Sequence, residues 1–230
     1  MGDASIDLTT FYALRPGPAT RPDGGSCVLS VHDLGVLRVP SGRLGACDPF
    51  VLLDDPAVED VPAGDHRVRL TLADVSEAAD GSHLREPYLS VVLSDRPVVR
   101  AEYARDPEGS FDGNADLGAV PVDAGTVGFV DADAVAPCMP QPPTRWYDEV
   151  FDSGRADSWF ARMDDPQHVR PHCANVVMPL ATDGENVVLS HSGWGDGLYP
   201  LVFTRAGDGE LVGVHIDLQV AGRRPGGARP

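Results

Sequence analysis

The sequence contains no lysine: its 18 strongly basic residues are all arginine. This absence excludes covalent catalysis through a lysine Schiff base. It also excludes a phosphate-binding P-loop, whose lysine reaches the nucleotide phosphates. No G-x-G-x-x-G motif follows a strand and opens a helix, so a dinucleotide-binding fold is not predicted either. We therefore expect no cofactor.

Cysteine is scarce, and its spacing does not fit a metal or redox site. The four cysteines form no C-x-x-C pair, so neither a zinc ribbon nor a thioredoxin-type centre is indicated. His168 and His172 have a spacing that binds zinc when both lie on one helix face, and Cys173 follows them. However, Pro166 and Pro171 interrupt any helix through this stretch. We predict no metal site.

Long apolar runs are also missing. No run approaches the roughly 18 residues of a membrane-spanning helix. The first residues lack the basic and apolar regions of a signal peptide. These features predict a soluble, cytoplasmic protein with reduced cysteines and no membrane partner.

Acidic residues dominate the charge. The chain has 35 Asp and Glu residues and a formal net charge of −17. Such a charge repels the phosphates of nucleic acids and anionic lipids, so neither is an expected partner. A basic protein surface, a cation or a neutral small molecule is compatible with it. Alternatively, the acidic residues only keep the protein soluble.

Short apolar segments between glycine and proline turns predict a mainly β fold. The clearest strand is His66–Ala73, which alternates apolar and polar residues like a half-buried antiparallel strand. About ten such segments indicate an antiparallel β-sandwich or open barrel. Asp183-Gly184 and Asp208-Gly209 predict hairpin turns. Helical spacing of apolar residues between Arg145 and Met163 predicts one or two short helices over one opening of the sheet, with their aromatic residues in the core.

The composition of the two chain ends predicts the domain organisation. The first 25 residues are rich in proline and glycine and are expected to form a flexible N-terminal arm. Residues 26–220 are predicted to form a single β-rich domain. Residues 221–230 are predicted to be a disordered tail.

The most distinctive motif is Ser192-Gly193-Trp194-Gly195-Asp196-Gly197, between two apolar runs. Its glycines predict positive φ angles or close backbone approach. They would present Trp194 and Asp196 at a loop tip, where binding sites often lie. We predict that Gly193, Trp194, Gly195 and Asp196 bind a ligand or partner. The alternative is a bulged hairpin in which Trp194 only covers the sheet.

Acidic residues beside turns are the candidate catalytic groups. Two carboxylates brought close together can shift each other's pKa and act as acid and base, or hold a divalent cation. His215 and Asp217 alternate on one predicted strand, so their side chains share a face. The alternative is that each aspartate caps its own turn. The catalytic candidates are Asp48, His66, Asp123, Asp196, His215 and Asp217.

Several motifs occur in a characteristic order between about residues 36 and 220. They are Pro40-Ser41-Gly42-Arg43 with Asp48-Pro49, then Gly64-Asp65-His66, Val122-Asp123-Ala124-Gly125-Thr126, and Ser192–Pro200 with Asp217. In this order the chain resembles a bacterial family known only as domain of unknown function 4241. The resemblance implies the order of the segments and a characteristic glycine loop. It implies no substrate and no catalytic roles.

Two functions of different classes are compatible with these observations. We expect a soluble, acidic binding domain that engages a basic protein partner or a small ligand through residues 192–197. The alternative is a small hydrolase or lyase that uses carboxylates, with or without a divalent cation. That enzyme hypothesis requires Asp196 to meet at least one other catalytic candidate in a single pocket.

Overall fold

The structure, a computed structural model, describes residues 5–111 and 114–223, without the side chains of residues 106–116. It is mainly antiparallel β, which confirms the predicted fold class. The strands are β1 (Ser5–Ile6), β2 (Gly17–Thr20), β3 (Ser26–Val39), β4 (Arg43–Cys47), β5 (Ala57–Asp60), β6 (Gly64–Asp74), β7 (Leu84–Val92), β8 (Arg100–Tyr103), β9 (Arg105–Phe111), β10 (Asn114–Leu117), β11 (Ala119–Val122), β12 (Thr126–Asp131), β13 (Cys173–Val177), β14 (Asn186–His191), β15 (Gly197–Arg205) and β16 (Leu211–Asp217).

Fourteen of these strands form one large and one small sheet. The large sheet has the order β1-β8-β15-β16-β7-β6-β3-β2, and β11 also pairs with β15. The small sheet has the order β13-β14-β12-β4-β5. Strands β9 and β10 pair only with each other among the described residues.

The main core lies between the two sheets. Leu37 and Leu89 of the large sheet pack in one cluster with Phe129 and Val188 of the small sheet, and all four are fully buried. Successive side chains of a strand point to opposite faces. The residues on either side of Val188 therefore face outward from the small sheet, where they join a second core.

The second core lies between the small sheet and the helices. Val187 and Leu189 of β14 pack there with Trp146, Phe151 and Trp159. The predicted core role is confirmed for these three aromatic residues, but it is wrong for Tyr147, which is 57% exposed. The helical elements are α1 (Ala132–Cys138), a 3₁₀ turn (Pro143–Arg145), a π-helical turn (Tyr147–Phe151) and α2 (Trp159–Asp164).

The position of the helices differs from the prediction. They cover the outer face of the small sheet rather than one opening of a sheet. Helix α1 has seven residues with Pro137 inside it, too short a segment to show a helical period. No helix in the described part of the chain has the length and apolar character needed to span a membrane.

The strand predicted at His66–Ala73 is present as β6. Its apolar residues Val68 and Leu72 are buried between the sheets. Thr71, on the face predicted to be polar, is buried as well. Its hydroxyl accepts a hydrogen bond from the Leu14 amide at 3.1 Å, because the N-terminal segment lies against this face.

The N-terminal segment packs on the outer face of the large sheet. Strand β1 pairs with β8, and β2 pairs with β3. Phe11 is buried against Tyr88, with ring centroids 5.3 Å apart. The described part of residues 1–25 therefore differs from the flexible arm expected from its composition. Burial of Phe11 and strand pairing fix it to the sheet despite its prolines and glycines.

Both predicted Asp-Gly turns are confirmed. Asp183-Gly184 lies between β13 and β14, and Asp208-Gly209 lies between β15 and β16. Gly184 and Gly209 have φ angles of 81° and 91°, which glycine adopts without a steric penalty. The second turn joins β15 to β16, which pair with Leu201 opposite Ile216.

Candidate functional site

The Ser192–Gly197 loop connects β14 to β15 and is held by several hydrogen bonds. The hydroxyl groups of Ser192 and Tyr199 both donate to the Gly195 carbonyl, at 2.7 and 2.8 Å. The Ser192 amide donates to the Gly125 carbonyl in a neighbouring turn, at 3.0 Å. The loop is thus a tight connection tied to the rest of the fold.

Two glycines of this loop have positive φ angles but differ in how closely other atoms pack against them. Gly193 has a φ of 68°, and a Cβ atom there would lie 2.8 Å from the Glu86 carbonyl oxygen and 2.9 Å from a Val220 methyl. Gly195 has a φ of 101°, but a Cβ atom there would meet no atom within 4 Å. Only Gly193 is therefore required for both its backbone conformation and its close packing.

Asp48 organises the turn beside the glycine loop. One of its carboxylate oxygens accepts from the Asp123 and Ala124 amides, at 3.0 and 2.6 Å. The other accepts from the Thr126 hydroxyl at 2.6 Å. Asp48 is fully buried. These bonds give it a structural role, because they hold the turn whose Gly125 carbonyl anchors the glycine loop.

Asp123 and Asp196 come to the same end of two paired strands. Val122 of β11 lies opposite Gly197 of β15, and the two aspartates adjoin this pair. Both side chains are exposed to solvent. In residues 5–111 and 114–223, no three His, Cys, Asp or Glu side chains are arranged to hold a metal ion. The two aspartates form an acidic edge rather than an enclosed site.

His215 lies buried on the large sheet, away from this edge. Its ring nitrogens contact the Ser90 hydroxyl at 2.8 Å and the Thr204 hydroxyl at 3.0 Å. Burial lowers the pKa of His215 to about 3, so the ring is neutral at physiological pH. Its hydrogen-bonding capacity is used within the sheet.

Asp217 and His66 also make hydrogen-bond contacts with nearby backbone groups. Asp217 is buried and accepts a hydrogen bond from the Gln219 amide at 2.9 Å. Burial raises the pKa of Asp217 to about 7. The His66 ring contacts the Pro62 carbonyl at 2.7 Å. The candidate catalytic residues are thus spread over the Asp48 turn, the acidic edge, the buried sheet face and the start of β6.

A cleft that the sequence did not reveal lies directly beside the glycine loop. We call it the arginine–histidine cleft, after the side chains that line it. It has a volume of about 540 Å³, within the range of small-molecule sites. It is lined by Leu72, Gly81, Ser82, His83, Leu84, Arg85, Glu86, Arg170, Pro171, His172, His191 and Gly193.

The two arginines of the cleft, Arg85 and Arg170, have no acidic side chain within ion-pair distance among the described residues. The Nε and Nη1 atoms of Arg170 are buried, and within the described structure they donate no hydrogen bond. The same is true of the Nε atom of Arg85. Arginines without an acidic partner can form charge-assisted hydrogen bonds to the oxygens of a bound ligand.

Two stacked histidines form another wall of the cleft. The His172 and His191 rings lie 4.5 Å apart and are tilted by 29°. Burial and the neighbouring His172 lower the pKa of His191. His172 has a φ of 68°, an uncommon value for a residue with a side chain. Such conformations often occur at functional sites, where the surrounding structure maintains them.

Among the described residues, Glu86 is the one acidic residue that lines the cleft. It is buried, and burial raises the pKa of its carboxyl group. A hydrogen bond from its own backbone amide and the nearby Arg85, His172 and Arg170 partly offset this effect by favouring the charged form. The cleft therefore has a net positive character, in a protein whose overall charge is −17.

A second groove of similar volume, about 550 Å³, has a different character. Its Arg155 side chain binds Asp157 through two hydrogen bonds, at 2.9 and 2.7 Å. Its His168 ring contacts the Asn175 backbone at 3.0 Å. Since these polar groups already have partners, this groove is a weaker candidate for a binding site.

Trp194 joins the glycine loop to the arginine–histidine cleft. Its side chain is 53% exposed, and the Arg85 guanidinium lies 5.1 Å from its ring centroid. The His83 ring meets it edge-on, with centroids 6.1 Å apart. The predicted binding residues Gly193 and Trp194 therefore adjoin the cleft, whereas Asp196 lies on the acidic edge.

A comparison with protein-family models places this chain in a family of related sequences. The model of the family described as "Protein of unknown function (DUF4241)" matches residues 37–216. The chain belongs to this family, which confirms the resemblance seen in its motifs. A search of curated proteins and a search of solved structures found no match.

Proposed function

We propose that this protein is a binding domain for a small ligand, which it holds in the arginine–histidine cleft beside Trp194. The observation that carries the proposal is that Arg85 and Arg170 line the cleft without an ion pair to any described residue. The volume of the cleft, its mixed polar lining and the adjoining aromatic ring also support it.

A basic protein partner at the glycine loop receives less support. Trp194 lies against the Arg85 guanidinium, and a basic surface placed on this ring would approach a like charge. The exposed Asp123 and Asp196 favour such a partner only at the opposite end of the loop. The charge around the ring is the reason to prefer a small ligand.

A carboxylate hydrolase or lyase also receives less support than a binding domain. Asp48 is engaged by the turn that it holds, and Asp217 by its own backbone turn. Asp196 and Asp123 are exposed at the end of the β11–β15 pair rather than enclosed in a cleft. An enzyme of this class needs an enclosed acid–base pair.

The proposal is tested by screening the full chain against a library of neutral, cationic and anionic metabolites. Native mass spectrometry detects binding, and thermal denaturation measures the stabilisation that a ligand confers. Arg170→Gln is the test variant. Arg67→Gln is the matched control, because Arg67 is 65% exposed on β6 and does not line the cleft.

We expect at least one small molecule to bind the wild-type protein and the Arg67→Gln variant, and to bind Arg170→Gln more weakly. The proposal is contradicted if no small molecule binds. It is equally contradicted if every bound molecule binds Arg170→Gln as well as wild type.

A further inference from the structure

The arginine–histidine cleft combines donors from parts of the chain that are far apart in sequence. Arg85 comes from the start of β7, Arg170 and His172 from the segment before β13, and His191 from the end of β14. The His191 amide donates to the His172 carbonyl at 3.0 Å, which fixes the two histidines side by side. Basic groups therefore line the cleft from several directions.

This arrangement favours one geometry of ligand. A guanidinium group binds carboxylate or phosphate oxygens through parallel hydrogen bonds. A carboxylate offers two oxygens in one plane, whereas a phosphate group offers three oxygens in a tetrahedral arrangement. Donors that approach from several elements are better satisfied by the tetrahedral group.

The rim of the cleft suggests that the anion carries an organic body. Trp194 is half exposed beside Arg85, so its ring offers an apolar surface next to the basic groups. An inorganic ion would leave this surface unused. A ring or hydrocarbon attached to the phosphate could pack on it.

Resting on the function proposed above, we infer that the ligand is a small organic phosphate monoester. Arg85 and Arg170 bind its phosphate oxygens, and Trp194 contacts its organic part. His172 and His191 supply further donors to the same oxygens. Glu86, buried beside these groups, accepts a hydrogen bond from a hydroxyl or amino group of the ligand.

Titration calorimetry with defined probes tests this inference. The probes are phenyl phosphate, inorganic phosphate, sulfate, succinate, phenol and benzylamine. They separate a phosphate monoester from a bare anion, a dicarboxylate, a neutral ring and a cation. The protein is used as wild type, Arg170→Gln, Arg85→Gln and the control Arg67→Gln.

We expect phenyl phosphate to bind more tightly than any other probe. Loss of one charged donor should weaken the binding of phenyl phosphate about tenfold or more in Arg170→Gln and in Arg85→Gln. Arg67→Gln should bind like wild type. Inorganic phosphate and sulfate should bind weakly, because they make no contact with Trp194.

A second measurement on the wild-type protein covers the case in which an arginine variant fails to fold. Trp146 and Trp159 are buried in the second core, whereas Trp194 adjoins the cleft. Phenyl phosphate should therefore change the fluorescence of wild type, and Trp194→Phe should remove most of that change.

Three outcomes overturn the inference, and they differ in what they say about the binding function. If succinate, phenol or benzylamine binds more tightly than phenyl phosphate and depends on Arg170, the ligand class is wrong but a small-ligand site remains. If phenyl phosphate does not bind wild type while the metabolite screen finds another ligand, the same conclusion holds. If phenyl phosphate does not bind and the metabolite screen finds no ligand, the inference and the proposed function both fail.

Discussion

The Arg85 guanidinium lies 5.1 Å from the centre of the Trp194 ring. This contact connects two parts of the molecule that are far apart in sequence, the start of β7 and the glycine loop. It places the loop at the rim of the arginine–histidine cleft. The proposed binding site depends on this relationship, because without it the loop would be an isolated surface feature.

Replacing Trp194 tests whether its ring is a contact residue for a ligand or an apolar cover that stabilises the fold. Because the ring is half exposed, Trp194→Ala should lower the free energy of unfolding by about 1 kcal/mol or less. Trp159→Ala is the comparison, since burial of that ring predicts a loss of about 3–5 kcal/mol. Urea denaturation measures both. A loss above about 3 kcal/mol for Trp194→Ala would mean that the ring acts mainly as an apolar cover.

The two loop glycines should respond differently to the same change. Gly195→Ala adds only backbone strain, about 1–2 kcal/mol. Gly193→Ala adds that strain and a clash with the Glu86 carbonyl and Val220, which should bring the loss to about 3 kcal/mol or more. Thermal or urea denaturation of the two variants gives the comparison. Equal losses would contradict the close packing described for Gly193.

Asp48 should be essential for folding rather than for chemistry. Asp48→Ala removes the acceptor for the Asp123 and Ala124 amides and for the Thr126 hydroxyl, inside a buried turn. The expected loss is about 3 kcal/mol or more, because three buried donors are left without an acceptor at about 1–3 kcal/mol each. Circular dichroism during urea denaturation tests this. A variant as stable as wild type would show that the turn is held by other contacts.

The buried Asp217 should make stability depend on pH. Its folded pKa of about 7 lies above the unfolded value of about 3.9, so the folded state binds the proton more tightly. The contribution of protonated Asp217 to the free energy of unfolding is complete below about pH 4 and is lost as the pH rises to about 7. Asp217→Asn retains the acceptor for the Gln219 amide and cannot ionise.

The Asn variant should therefore unfold at a higher temperature than wild type above about pH 7, with a difference that shrinks toward about pH 4. Melting curves across this range measure it. The pKa assignment fails if the difference is constant with pH or grows as the pH falls.

Local patterns in the sequence were sufficient to predict much of the fold. Alternation predicted β6, and Asp-Gly turns predicted two hairpins, because each of these signals lies within a few neighbouring residues. The N-terminal segment was harder to predict. Its composition indicates flexibility, while its fixation depends on Phe11 packing against Tyr88 from a distant strand.

The candidate site was only partly visible in the sequence. The glycine motif pointed to Gly193 and Trp194, but the cleft beside them is assembled by strand pairing that no local pattern encodes. His168 and His172 illustrate this. Their spacing indicated a zinc site only on a helix, whereas in the structure His168 contacts Asn175 and His172 stacks on His191.

The side-chain N–H groups of the cleft can be observed directly while a ligand binds. Heteronuclear NMR spectra of the arginine Nε–Hε and tryptophan indole N–H groups are recorded during titration with phenyl phosphate. If the cleft binds the phosphate as proposed, the signals of Arg85, Arg170 and Trp194 move together and saturate, while those of Arg67 and Trp159 stay in place. Signals of Arg85 and Arg170 that remain fixed throughout the titration would contradict the proposed site.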